Sequence, residues 1–233
     1  MLGDHLVARG ERLTGKVFIS HPHWDHINTL PFFTPLYITG NEFEILGSPH
    51  GPTKMVDLVN AQMDGVFFPI TSREFGAKIE YRDLREGSYE FGEIRVDTML
   101  LSHPGNCLGY RVAYAGRSMC YITDNELFPK DSAYYSAEYE EHLTNFVRGC
   151  DALIIDTNYF DEEYEARVGW GHSNVTQVAT LARNAGVKTL YPFHHDHRHN
   201  DDDIDRKIEQ AQEILEGSST RCVQPVEGIP LAL

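Results

Sequence analysis

Apolar residues along this chain come in short runs broken by polar, glycine-bearing segments, and the runs follow two periods. VFIS (17–20), FEILGS (43–48), ALIIDT (152–157) and KTLYPF (188–193) are near-continuous apolar stretches of strand length, the pattern of strands covered on both faces. Residues 78–84, 93–101, 108–115 and 118–123 read as further strands, with Ala-Gly-Arg at 115–117 a hairpin signal between the last two. Helical spacing occurs at 53–63, where Met55, Leu58, Val59 and Met63 share a face, and again at 137–147. It returns at 173–184, with Ser173 the predicted N-cap and Gly186 beyond the end, and at 203–215. The acidic run Asp201 to Asp203 suits the positive end of that last helix. MLGDHLVARG (1–10) reads as the last turns of an amphipathic helix, with Leu2, Leu6 and Val7 on one side. Strands dominate the middle and helices alternate with them at both ends, which predicts an α/β fold. No repeat, low-complexity tract or Pro/Gly-rich linker marks a boundary, so residues 1–233 are expected to form one domain.

Composition changes this picture little. A chain of 233 residues, 41% hydrophobic and 24% charged, can bury a sizeable core. Charge changes it more. With 35 acidic against 20 basic side chains the formal charge is −15, so no extended nucleic-acid surface is expected. A small anionic substrate stays compatible, because bound cations reverse the sign of the field locally. Cys107, Cys120, Cys150 and Cys222 lie far apart and form no CxxC pair, which predicts free thiols and a reducing, cytoplasmic setting. No signal segment is visible and no apolar run approaches 20 residues, so no membrane span is expected.

The chemistry sits where apolar runs stop. VFIS runs into His21, MLLS (99–102) into His103, CYIT (120–123) into Asp124, and LYPF (190–193) into His194 and His195. Catalytic groups are commonly held on loops at strand ends, and four such coincidences point to one site. The first is also the densest: HPHWDH (21–26) carries His21, His23, Asp25 and His26. Imidazole and carboxylate bind zinc or similar first-row ions at roughly 2.0–2.2 Å. Two such ions roughly 3.5–4 Å apart can polarise a phosphoryl or carbonyl oxygen and generate hydroxide near neutral pH.

HPHWDH resembles the HxHxDH signature of the metallo-β-lactamase fold superfamily, and His103, Asp124 and His194 complete that superfamily's ligand set in order. The resemblance covers almost the whole chain. It implies a four-layer αββα sandwich, here without the strands that usually open it, so that the chain looks short by roughly the first quarter of an ordinary domain. An exposed sheet edge left in that way would favour a homodimer. The resemblance also implies two divalent metal ions, zinc first and manganese or iron as substitutes. His21, His23 and His103 would hold one, Asp25, His26 and His194 the other, and Asp124 would bridge. His194 is preferred to His195 because the ligand of related enzymes directly follows a four-residue strand. Asp25 has two family roles, ligand of the second metal or orienter of the attacking hydroxide.

LSHPGNCLGYRV (101–112) and GHSNVTQVATLARNAGVKTLYPFHHD (171–196) resemble the phosphodiesterase-like and tRNase Z-like members, with Asn174 in place of the usual Thr. The His- and Asp-rich continuation through Asp203 resembles members that hydrolyse cyclic nucleotides or cyclic dinucleotides. The long Gly/Pro-rich arm with which tRNase Z enzymes grip tRNA is not found. The implied function is hydrolysis of a small anionic phosphodiester by a metal-bridged hydroxide. A tRNA endonuclease, a thioester or lactone hydrolase, and a non-catalytic metal-binding module are the alternatives. His172 has two readings: a residue that orders its loop, or a phosphate contact and proton donor to the leaving oxygen. For Trp24 and the segment 27–33, a packed helix beside the metal loop is expected in preference to a base-stacking surface.

Overall fold

Of the helix expected over 1–10, Leu2–Ala8 forms α1 in the computed structural model, which describes residues 2–231; Met1 lies outside them. The chain continues through β1 (Thr14–Ile19), the single turn α2 (Trp24–Ile27), β2 (Glu42–Gly47), α3 (Met55–Gln62) and β3 (Lys78–Asp83). These elements belong to one compact unit that ends at Arg85. Its sheet is wholly parallel, in the order β1-β2-β3, with Val17 opposite Ile45 and Ile45 opposite Tyr81. Ile19, Leu36, Phe43, Ile45, Met55 and Val59 form its core, joined by Ile27 and Leu30 from the segment after the histidine cluster. A Cβ on Gly47 would strike Met55 and come within 2.7 Å of the Ile19 carbonyl oxygen, so β2 needs glycine where α3 packs down.

The second unit runs from Glu86. It contains β4 (Gly87–Phe91), β5 (Ile94–Leu100), β6 (Leu108–Tyr114), β7 (Arg117–Ile122), α4 (Ala137–Val147), β8 (Ala152–Asp156), the short α5 (Asp161–Tyr164), α6 (Val175–Ala185), β9 (Thr189–Phe193), α7 (Asp201–Ile214) and β10 (Arg221–Cys222). Seven strands pair in the order β10-β9-β8-β7-β6-β5-β4. β4 to β7 are antiparallel neighbours, and β7 to β10 are parallel. The β6–β7 hairpin turns on Ala115 (φ 48°) and Gly116 (φ 77°), a two-residue turn of the hand that matches strand twist. Because β5 runs antiparallel to β6 and β6 to β7, β5 points the same way as β7, β8 and β9. Their carboxyl ends therefore share one edge of the sheet, where open α/β sheets place their ligands.

Helix starts are set by side chains. Asn174, not Ser173, caps α6: its side-chain Oδ1 accepts from Gln177 N at 2.9 Å while Gln177 Oε1 reaches back to accept from Asn174 N at 3.0 Å. Ser173 is buried and bridges two loops instead, accepting from Leu127 N and donating to Asn125 O. The C-terminus of α6 ends as expected on Gly186 in the left-handed region (φ 63°). Asn200 and Asp203 form the reciprocal cap of α7. All four cysteines are free and buried, and no helix among the described residues is long and apolar enough to cross a membrane.

Candidate metal centre

In the first unit, β1 ends one residue before Ser20 and delivers a buried His21. Ser20 Oγ lies 3.2 Å from its Nδ1, and His23 Nδ1 lies 2.9 Å from its Nε2. The loop thus turns one nitrogen of each ring toward the other. α2 begins directly after His23 and carries the next two groups. The His26 ring sits 4.3 Å from that of His21, and its Nε2 is 3.2 Å from an Asp25 carboxylate oxygen. Asp25 is open to solvent, with its side chain 64% exposed, whereas that of His26 is 9% exposed.

In the second unit, the shared sheet edge gathers His103 after β5, Asp124 after β7, Asp156 at the end of β8 and His194 after β9. Asp124 is central. Its Oδ2 lies 3.5 Å from His103 Nε2, and its Oδ1 lies 3.4 Å from His194 Nε2. One carboxylate therefore presents each oxygen to a different imidazole. The opposite edge of the His103 ring meets the Gly171 carbonyl oxygen at 3.0 Å. Only an Nδ1–H can make that hydrogen bond, and in the neutral ring it leaves the Nε2 lone pair on the side of Asp124. His194 is turned by its backbone, which is in the left-handed region (φ 53°). Such strain in a non-glycine residue persists where neighbours hold it, and Asn158 does so. Its Nδ2 donates to the His194 carbonyl oxygen at 2.8 Å and sits 3.2 Å from the ring's Nδ1.

His172 is clamped by Asp156, with Nδ1 to Oδ2 at 2.7 Å, and its ring stacks on His194 at 5.2 Å. Burial opposes protonation of His172, but the hydrogen bond and charge of Asp156 outweigh it and raise its pKa. Asp156 is fully buried, and burial pushes its carboxyl above the usual range despite the bond from His172. Its Oδ2 also accepts from Asn125 N at 3.1 Å, while Oδ1 has no hydrogen-bond partner among the described residues. One potential ligand atom from each of Asp124, Asp156, His172 and His194 falls within 4.8 Å of the others. Two carboxylates buried together with imidazoles, one of them with an orphaned oxygen, form a donor set that suits a divalent cation. His195 is not in that group; burial, with Lys207 nearby, lowers its pKa to about 4.

Residues 8–195 match the beta-lactamase superfamily domain. This chain belongs to that family. As a metallo-β-lactamase-fold protein it is similar to ribonuclease Z of Oceanobacillus iheyensis, 24% identical over 255 residues that cover 91% of this chain and 80% of that protein. The structure of unliganded yeast PDE1 superposes with a TM-score of 0.71 at 15% identity, covering 92% of this chain and 67% of that one. Zinc-bound PqqB from Methylobacterium extorquens superposes with a TM-score of 0.61 at 16% identity, covering 94% and 71%. The mixed α/β fold and the resemblance to the tRNase Z-like branch both stand.

Three buried residues that pack around this centre were not singled out from the sequence. Asp156 follows the same signal as Asp124, an apolar strand ending in an acid, but reads as part of the strand ALIIDT. Glu126 is buried, and its carboxylate accepts from Gly169 N at 2.8 Å, Gly171 N at 2.7 Å and the Tyr164 hydroxyl at 2.8 Å. It thereby fixes the loop that carries His172. Lys207, on α7, is fully buried and donates to the carbonyl oxygens of Thr157 and Asn158 at 2.9 and 2.6 Å. Desolvation lowers its pKa to about 8, and it supports the turn that holds His194. Neither residue has a local motif that sequence reading could have caught. The expected packing of Trp24 and residues 27–33 is corrected in part: Ile27 and Leu30 are buried, but Trp24 and Phe32 are 60% and 62% exposed.

Proposed function

We propose that this chain hydrolyses phosphodiesters with two divalent cations, held by His21, His23, Asp25, His26, His103, Asp124 and His194. Zinc is the first choice, with manganese or iron able to replace it at a nitrogen and oxygen donor set. The observation that carries the reading is Asp124, buried and offering one oxygen beside each of two imidazole Nε2 atoms, as a carboxylate shared by two cations would. When bound, the cations supply Lewis acidity and bring the ionisation of water toward neutral pH. The chain's own residues do the rest. Gly171 and Asn158 fix the His103 and His194 rings, and Glu126 holds the His172 loop. His172, gripped through Nδ1, keeps Nε2 for a proton to the leaving oxygen. Asp25, with its side chain 64% exposed, would ligate the second cation or orient an incoming water.

A small phosphodiester such as a cyclic nucleotide is the first substrate reading, in keeping with the acidic chain. RNA is the second, favoured by the similarity to ribonuclease Z. The test is hydrolysis of bis(p-nitrophenyl) phosphate, cyclic AMP, cyclic di-GMP, tRNA precursor and a thioester by zinc- and manganese-loaded protein. Cleavage of a phosphodiester that falls at least a thousandfold in Asp124→Ala is the expected result. Metal binding without turnover of any ester would replace the proposal with a non-catalytic metal-binding module.

A further inference from the structure

Beside the HPHWDH loop, the first unit carries a cleft of about 360 Å³, near the lower end of the range for small-molecule sites. Its walls are aromatic: Trp24, Phe32, Phe67 and Phe68 all line it. Three of these rings are open to solvent, Trp24 at 60%, Phe32 at 62% and Phe67 at 76%. Phe68 meets Phe32 edge to face at 5.2 Å, which steadies that wall. The Phe67 turn is ordered, since Asp64 Oδ1 accepts from Val66 N and Phe67 N at 2.8 and 3.1 Å. A cluster of large exposed apolar rings on an ordered turn marks a contact surface rather than misplaced core.

The same cleft contains a polar group without a partner. Gln62, the last residue of α3, is only 5% exposed and lines the cleft. Both its Nε2 and Oε1 are buried and make no hydrogen bond among the described residues. Leaving one donor and one acceptor unmade in a buried amide is costly and calls for an explanation. A ligand that offers an acceptor and a donor side by side, on a flat face that stacks, supplies both. Nucleobases have that chemistry: every base has a π-face for aromatic rings, and a glutamine amide pairs bidentately with adenine N6 and N7.

We propose that this cleft is a nucleobase subsite, with Trp24, Phe32 and Phe67 as the stacking walls and Gln62 as the edge reader, adenine being its best fit. It rests on the phosphodiester reading above and narrows it to substrates that carry a base. Trp24 stands between His23 and Asp25 in the chain, so a base held against it brings the attached phosphate toward the loop that carries the proposed ligands.

The experiment measures binding to the zinc-loaded protein by tryptophan fluorescence quenching, with AMP, UMP and ribose 5-phosphate as probes. AMP is expected to bind at least tenfold more tightly than ribose 5-phosphate, with quenching that disappears in Trp24→Leu. Phe67→Ala, at an exposed position that leaves folding intact, should erase most of that advantage, and Gln62→Leu should remove the preference for AMP over UMP. Equal affinity for AMP and ribose 5-phosphate, or an advantage that survives both Trp24→Leu and Phe67→Ala, overturns the proposal. An adenine dinucleotide that binds much more tightly than AMP assigns the base to RNA, and equal binding assigns it to a free nucleotide; both keep the subsite. Parallel kinetics separate the two readings. If neither cyclic AMP nor base-free methyl p-nitrophenyl phosphate is hydrolysed while AMP keeps its advantage, the hydrolytic reading fails and the subsite stands. If both are hydrolysed without a lower KM for cyclic AMP, the subsite fails and the hydrolytic reading stands.

Discussion

Gly171 shows how much of the candidate centre depends on one missing methyl group. Its φ is +88°, and a Cβ there would collide with His103 Nδ1 and sit 2.6 Å from Pro104 Cδ. Its carbonyl oxygen is also the partner of that same Nδ1. Gly171→Ala should displace the His103 ring and weaken metal affinity roughly 10–100-fold, the usual size of effect when a ligand loses its orienting partner. A competition titration with a chromophoric chelator measures this, and an unchanged affinity would show that His103 is not a ligand. Glu126 acts one step further out. Glu126→Gln keeps the shape but replaces an acceptor-only carboxylate by a group with one acceptor for three donors, so about 1–3 kcal/mol of stability should be lost, read by urea unfolding. Both residues were opaque in the sequence for the same reason. Their partners lie 38 positions away or more, from Glu126 to Tyr164 and Gly171 and from Gly171 to His103, and no local spacing encodes such contacts.

Among the elements, α7 does more than cover the sheet. It inserts Lys207 beneath the turn after β8, where the ammonium meets two carbonyl oxygens and lies 5.3 Å from the Phe160 ring centroid. The folded-state pKa of about 8 lies below the ordinary 10.5. Between these values the unfolded chain binds the proton more tightly than the folded one, so this group's contribution to stability rises with pH across that window. Below pH 8 both states are protonated and the desolvation cost is fully present. Lys207→Met leaves two carbonyls without a donor and should lose roughly 1–3 kcal/mol at pH 7. The stability gap between wild type and variant should then widen by on the order of 3 kcal/mol from pH 8 to 10.5. Denaturant unfolding across that range measures it, and a flat gap would mean that Lys207 is not desolvated as placed. The helical period and acidic first turn of α7 were readable in its sequence. That one lysine on it faces inward was not, because lysine is usually solvated and only the packing of the β8 turn supplies its partners. The N-cap of α6 teaches the converse. Ser173 and Asn174 are both good caps by type, and Ser173 was withdrawn to the Asn125 and Leu127 backbone, leaving Asn174 to start the helix.

For the whole molecule, the net charge of −15 sets how substrates arrive. A small anionic phosphodiester approaches against that field, so raising salt from 50 to 200 mM should screen the repulsion and lower KM by about twofold. An RNA substrate gripped through several phosphates would show the opposite sign, with KM rising steeply as counterion release is lost. The sign of the salt slope with zinc-loaded protein therefore separates the two substrate readings without knowledge of the natural substrate.

Local patterning along the chain sets the order of the chemistry. Short apolar runs that end in His21, His103, Asp124 and His194 specify strands with reactive groups at their carboxyl ends, because strand period and apolar covering are local properties of the chain. The same holds for the β6–β7 hairpin, where Ala115-Gly116 supplies the two positive-φ residues, and for the helical segments. Packing in three dimensions governs what those groups meet. It put both oxygens of Asp124 beside separate imidazoles, chose His194 over His195 for that edge through a left-handed backbone, and buried Asp156, Glu126 and Lys207 against partners far along the chain. It also left Trp24, Phe32 and Phe67 open around Gln62, whose side-chain amide has no partner among the described residues. Burial and long-range pairing are properties of packed surfaces, and a one-dimensional pattern of residues does not contain them.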